Sequence, residues 1–248
     1  MEHHLLSTKP HLFFLTETQV GETTDSKPFS VPSYCLYSNF KAKAGCCAYV
    51  RADVSCSRVA NLESPDFSSL WLRLNINSQA KYFCAVYLSP NSTNYQEFFD
   101  YLTSKVEHIL SHSPFAEISI LGDFNVHHQQ RLSSTFTSPS GELAFQFALL
   151  NDLDQIVNQP TRIPDRLGDR PSILDLFLTT NPSNYSISVS SPLGSSDHCL
   201  ISSSSSITQV HSEDAPGQRR LWHFADADWE SPKMYYFDFP WNDYCFRN

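Results

Sequence analysis

The feature of this sequence that most limits its fold is the placement of acidic residues at the ends of short apolar runs. Leu12-Phe13-Phe14-Leu15 stops at Thr16-Glu17-Thr18, and Ile118–Leu121 stops at Gly122-Asp123-Phe124-Asn125. Ser196-Asp197-His198 stands just before the run that begins at Cys199. A further carboxylate, Asp175, lies inside the apolar stretch Ile173–Leu178, where burial without a partner is costly, and a histidine is the usual partner. Short apolar runs bounded by turn-forming residues read as buried strands. The chain is therefore predicted to fold around strands whose ends bring carboxylates together.

Further strands are predicted over Tyr34–Tyr37, Cys46–Arg51, Leu70–Ile76, Tyr82–Leu88, Ser186–Ser190 and Cys199–Ser206, each flanked by turn residues. The segment before Pro10 reads as the end of a helix, and residues 21–33 as a loop. The clearest helix is Tyr95–Ser111, with Tyr95, Phe98, Phe99, Leu102, Val106, Ile109 and Leu110 repeating on one face. Asn94 followed by Glu97 predicts a capping box at its start. A second helix is predicted over Glu142–Asn151. Strands and helices alternate along the chain, which predicts a two-sheet α/β sandwich covered by helices. The serine run at 202–206 reads as strand or fraying edge, and 211–219 as a linker. Residues 221–248 carry Trp222, Trp229 and Trp241 without a period and are expected to pack on something else.

Charge narrows the function. With 26 acidic against 17 basic residues the net charge is −9, opposite in sign to a protein that binds nucleic acid by bulk electrostatics. A phosphate substrate must then be met locally, by a metal ion or a few placed arginines. Strand-end carboxylates suit one hard cation, because Mg²⁺ takes one or two carboxylates together with water and phosphate oxygens. The seven cysteines (Cys35, Cys46, Cys47, Cys56, Cys84, Cys199 and Cys245) include no Cys-x-x-Cys pair, so free thiols are expected rather than a disulfide framework or a zinc site. No apolar run approaches the ~18 residues of a membrane span. The first residues lack a signal peptide's basic flank and apolar core. An intracellular protein without a membrane partner is expected.

Each motif alone has an ordinary explanation. Glu17 reads as a loop residue, Asp-Phe-Asn as an Asx turn, and Ser-Asp-His as a capped turn. Their joint occurrence at strand ends favours a site. His127-His128 is not expected to ligate one ion, because neighbours on an extended segment point to opposite faces; His3-His4 is read likewise. Arg162, Arg166 and Arg170 either touch a DNA backbone or pair with Asp165 and Asp169.

Taken together, Thr16-Glu17-Thr18, Val86-Tyr87-Leu88-Ser89-Pro90-Asn91, Gly122-Asp123-Phe124-Asn125, Leu174-Asp175-Leu176-Phe177-Leu178 and Ser196-Asp197-His198 resemble the ordered motifs of the endonuclease/exonuclease/phosphatase family. The resemblance is closest to the endonuclease domain of non-LTR (LINE-type) retrotransposon proteins. It extends to Asn158-Gln159-Pro160-Thr161-Arg162 and the Trp-rich tail. It implies a four-layered α/β sandwich of two packed mixed sheets flanked by helices. It also implies a Mg²⁺-dependent (or Mn²⁺-dependent) endonuclease that nicks DNA to prime reverse transcription. By the same resemblance Glu17 and Asp197 hold the metal, and His198, oriented by Asp175, contacts the scissile phosphate or serves as base. Asp123 positions or deprotonates the attacking water, Asn125 orients water and phosphate, and Tyr87 stabilises the transition state or leaving group. Thr161 and Ser196 become phosphate contacts.

The family pattern opens with a strand whose Asn contributes to the metal site, followed by a helix. This sequence starts within or after that helix, so the strand is expected to be missing and a sheet edge left unpaired. Residues 1–207 are expected to form the domain, and 208–248 a linker and tail toward an absent reverse transcriptase. The expected location is nuclear if the enzyme acts on chromosomal DNA. Two alternatives stay open: an inactive, truncated retroelement remnant, and a phosphodiesterase of the same fold acting on another substrate.

Overall fold

Apolar residues buried on both faces place one strand pair at the centre of the molecule. In the computed structural model β5 (Ser68–Ile76) and β6 (Gln79–Tyr87) pair antiparallel, and Leu70, Trp71, Leu72, Cys84, Ala85 and Val86 are fully sealed. The structure describes residues 1–76, 79–130, 132, 134–164, 170–205, 234 and 237. Contacts divide the chain into Met1–Gly217 and Gln218–Asn248, and every element named below lies in the first unit. The expected boundary at 207, the linker 211–219, the tail with its three tryptophans, Arg166 with Asp165 and Asp169, and Cys245 lie outside the described residues.

From β6 the chain crosses through α2 (Tyr95–His112) to β7 (Glu117–Asp123), which pairs parallel to β6. A parallel neighbour needs such a crossover. β9 (Asp175–Thr179) then pairs antiparallel to β7, and the short strands β4 (Cys56–Arg58) and β8 (Asp154–Gln155) close the sheet in the order β4-β5-β6-β7-β9-β8. Phe98, Phe99, Leu102, Val106, Ile109 and Leu110 of α2 are buried, as their spacing predicts. The capping box does not form, because the Asn94 side-chain oxygen accepts from Thr93 Oγ1 at 3.0 Å instead of capping the helix. The second helix, α3 (Pro139–Leu150), begins before the predicted Glu142: Ser138 Oγ accepts from the Gly141 amide at 3.0 Å, and Pro139 occupies the first turn.

Facing this sheet is a second one in two pieces. β1 (Leu12–Thr16), β3 (Cys46–Arg51) and β2 (Tyr34–Asn39) form an antiparallel sheet in the order β1-β3-β2. β10 (Tyr185–Ser190) and β11 (Leu200–Ser205) form a separate antiparallel pair. A short helix, α1 (Glu2–Thr8), buries Leu5 with Phe13 and Tyr49 on the outer side of the three-stranded piece. Helices, six-stranded sheet, divided sheet and α1 give the layered sandwich, with the main core between the two sheets. The expected pair of mixed sheets is realised in the six-stranded one; the pieces of the other are each antiparallel. No helix among the described residues is long and apolar enough to cross a membrane.

Candidate active site

The ends of β1 and β7 and the starts of β9 and β11 meet at one end of the sandwich, where a cavity of about 870 Å³ is lined by Glu17, Asp123, Asp175, Asp197 and His198. The backbone is bent at Glu17, which lines the cavity, and at Asn125, which bonds to Asp123. Glu17 and Asn125 hold positive φ (51° and 48°), a conformation costly for a non-glycine residue and tolerated better by Asn.

At the centre, His198 Nδ1 lies 2.7 Å from Asp175 Oδ2, which gives the carboxylate inside Ile173–Leu178 its histidine partner. Asp123 stands opposite Asp175 across the β7–β9 ladder. Oxygen and nitrogen atoms of Asp123, Asp175 and His198 lie within 4.8 Å of one another. The Asn125 amide and its Nδ2 donate to the two Asp123 oxygens at 3.1 and 2.8 Å, and Nδ2 also donates to the Leu88 carbonyl at 3.0 Å. Burial first, then the neighbouring Asp175 charge, pushes the Asp123 carboxyl up to about 7. The hydrogen bond to Asp175 lifts His198 to about 9 against the opposing effect of burial, so the imidazole is charged at neutral pH. The Tyr87 ring is buried, and burial with the Glu17 carboxylate beside its hydroxyl raises it to about 12. It is a proton donor throughout the neutral range.

The remaining expected residues stand outside the Asp123–Asp175–His198 trio. Thr161 is not a phosphate contact: it has no exposed surface, and its Oγ1 accepts from the Leu174 and Asp175 amides at 3.0 and 3.1 Å. Its carbonyl also accepts from the Cys199 amide at 2.6 Å, so one buried residue ties down the segments that carry Asp175 and His198. Ser196 is exposed, and its Oγ accepts from the His198 amide at 3.1 Å. Asp197 is paired with Arg162 (Nε–Oδ2 2.8 Å), which holds its carboxyl below the usual range. Neither Glu17 nor Asp197 belongs to the trio brought together above. His127 lies tilted against Phe136 and His128 against Phe145, ring centres 4.6 and 5.1 Å apart, away from this cluster.

Asp123 makes a stability prediction. A carboxyl whose pKa is raised by folding favours the fold in its protonated form. That contribution is complete below the unfolded value near 3.8 and is lost as pH rises through about 7. Asp123→Asn, which mimics the protonated form, is expected to gain on the order of 1–2 kcal/mol at pH 8 and much less at pH 4. Denaturant unfolding in EDTA at the two pH values measures this. Equal changes at both would show that Asp123 is not held against its ionisation.

A family profile described as endonuclease-reverse transcriptase matches residues 81–202. No curated protein matches the chain. Among solved structures, the endonuclease domain of TRAS1, a telomere-specific non-LTR retrotransposon, is similar at TM-score 0.65 and 13% identity, covering 84% of this chain and 91% of that one. The AP endonuclease LMAP from Leishmania major aligns at TM-score 0.65 and 15% identity, over 81% of this chain and 79% of its own. The 3′-5′ exonuclease NExo from Neisseria meningitidis aligns at TM-score 0.61 and 15% identity, over 82% and 92%. At these identities the likeness is one of fold.

Proposed function

We propose that this chain, whose residues 81–202 match the endonuclease-reverse transcriptase profile, is an endonuclease/exonuclease/phosphatase family member that hydrolyses phosphodiester bonds of DNA with the help of a divalent cation. The product is a nick whose 3′-hydroxyl a reverse transcriptase extends, with that domain as a partner in a longer polyprotein and chromosomal DNA in the nucleus as the substrate. The observation that carries the reading is the Asp123–Asp175–His198 cluster, drawn from three separate strand ends into one cavity.

In-line hydrolysis needs an activated water, a stabiliser of the phosphoryl oxygens and a donor for the leaving oxygen. Asp123, at about 7, is matched to accept a proton from water near neutrality. Asn125 fixes that carboxylate in place through two hydrogen bonds. Charged His198, oriented by Asp175, presents its other ring nitrogen to a phosphoryl oxygen. Tyr87 donates its phenolic proton toward the departing oxygen. Thr161 acts as a positioning residue, and Ser196 keeps a hydroxyl proton for the phosphate.

The donor set fits a hard cation. Four carboxylates line one cavity together with His198, and the charges of Asp175 and Glu17 add to the pressure on Asp123. Glu17, together with Asp197 once its pair with Arg162 opens, would hold Mg²⁺ or Mn²⁺, which when bound neutralises charge on the phosphate.

The test is nicking of supercoiled plasmid by the purified chain. Conversion to open circles in Mg²⁺ that stops in EDTA, with polymerase-extendable 3′ ends, is the expected result. The divided second sheet favours a second reading, a folded protein without catalysis. Absence of nicking in Mg²⁺ and Mn²⁺ from a cooperatively folding sample would establish that reading and sink the first.

A further inference from the structure

Helical spacing sets two histidines side by side on the outer surface of α2. Residues four apart lie one turn above each other on the same face. In His108-Ile109-Leu110-Ser111-His112 the two apolar residues are buried, and His108, Ser111 and His112 are exposed. The imidazole centres are 4.5 Å apart, with the ring planes 46° from parallel. An ion with metal–nitrogen bonds of about 2.0–2.1 Å in tetrahedral geometry needs two ring nitrogens roughly 3.3 Å apart. Rotation about the side-chain bonds of two exposed rings at this separation reaches that span.

The neighbouring atoms aim a lone pair outward. His112 Nδ1 lies 2.9 Å from the His108 carbonyl oxygen and 2.9 Å from Ser111 Oγ, and Ser111 Oγ donates to the same carbonyl at 2.8 Å. A carbonyl only accepts, and the serine proton is already committed, so Nδ1 carries the proton in the neutral His112 ring. Nε2 is then the unprotonated nitrogen. A bond from Nδ1–H to a carbonyl is the arrangement that commonly orients a metal-binding imidazole. The helix adds to this. His112 is the last residue of α2, where unsatisfied carbonyls carry partial negative charge that favours a cation.

These donors differ in kind from the strand-end carboxylates. Imidazole suits late first-row divalent ions, whereas carboxylate suits Mg²⁺. The two places are also well separated. β7 follows α2 and runs from Glu117 to Asp123, and its seven residues span about 20 Å.

We propose that His108 and His112 form a two-nitrogen site for one late first-row divalent ion of the Zn²⁺ or Ni²⁺ class, with water completing its coordination. The bound ion clamps the last turn of α2, just before the chain enters β7. Nothing in this reasoning depends on the proposed cleavage reaction, and the test uses no DNA.

The probe is Ni²⁺, which suits imidazole better than the thiolates that compete for Zn²⁺. Diethylpyrocarbonate acylates free imidazole nitrogens, and mass spectrometry of the digested 248-residue chain reads its ten histidines one by one. Ni²⁺ is expected to protect His108 and His112 together, with one midpoint, and to raise the melting temperature as its concentration grows. His108→Ala should weaken protection of His112 at least about tenfold, and His112→Ala that of His108, because one shared ion needs both nitrogens. Both positions are exposed on a helix and alanine is the best helix former, so both variants should fold. His198→Asn, at the carboxylate cluster, should leave the α2 midpoint unchanged, and Mg²⁺ at the same concentration should protect neither α2 histidine. Separate midpoints for the two residues, full protection of one after loss of the other, protection by Mg²⁺, or protection confined to other histidines would overturn the proposal. A midpoint that moves with His198→Asn would overturn it as well, by assigning the ion to the carboxylate cluster.

Discussion

Replacing His198 by Ala or by Asn is expected to lower Mg²⁺-dependent plasmid nicking by on the order of 10³-fold. The two variants should separate in stability. Alanine leaves the Asp175 carboxylate, 14% exposed, without its 2.7 Å partner and beside Asp123. Orphaning such a group costs about 1–3 kcal/mol. The Asn amide reaches the place of Nδ1 and still donates to Asp175, so it should unfold nearer to the unaltered protein. Neither variant offers a titratable nitrogen to the phosphate. Added imidazole should restore part of the activity to the Ala variant, whose side-chain space is empty, and less to the Asn variant. Nicking is scored by gel densitometry over an enzyme titration, and stability by urea midpoints. Full activity in the Asn variant would remove His198 from the reaction and leave it a purely structural partner of Asp175.

That Asp175 needs a partner, usually a histidine, was legible in the sequence for a plain energetic reason, while the choice of His198 came from the family resemblance. A carboxylate within Ile173–Leu178 needs a partner, and Ser196-Asp197-His198 stands at the start of another strand. The apolar runs themselves announced β1, β3, β5, β6 and β7, and the one-faced period announced α2. What escaped were features whose cause lies far along the chain or in single atoms. Thr161 sits in a polar stretch that reads as surface, yet it is buried because its hydroxyl meets amides 13 and 14 residues away. The pair of Asp197 with Arg162, 35 residues distant, is likewise invisible to local pattern. Pro139 hides the start of α3 by breaking the apolar period, although proline after a capping serine is itself a start signal. β4 and β8 are too short to carry any period.

Gly122→Ala is expected to destabilise the domain by at least about 3 kcal/mol, the largest stability effect of any single methyl group at the site. Two causes act together. Gly122 has φ +138°, a conformation L side chains rarely adopt. A Cβ built there would also stand 2.0 Å from the Val86 carbonyl oxygen, which is backbone of the neighbouring parallel strand and has no rotamer to escape by. Gly194→Ala separates the two contributions: its φ is +65° and nothing lies within 4 Å of the added carbon, so only the conformational cost of about 1 kcal/mol remains. Urea midpoints of both variants against the unaltered chain measure the difference, and a Gly122 variant as stable as the Gly194 one would refute the close contact. The same contact links fold to chemistry. In the β6–β7 register Val86 faces Gly122 and Tyr87 faces Asp123, so pushing the strands apart at one pair separates the next. Any folded fraction of Gly122→Ala should therefore lose nicking beyond its loss of stability, because in the proposed reaction the phenol and the carboxylate use that spacing to act on one phosphate.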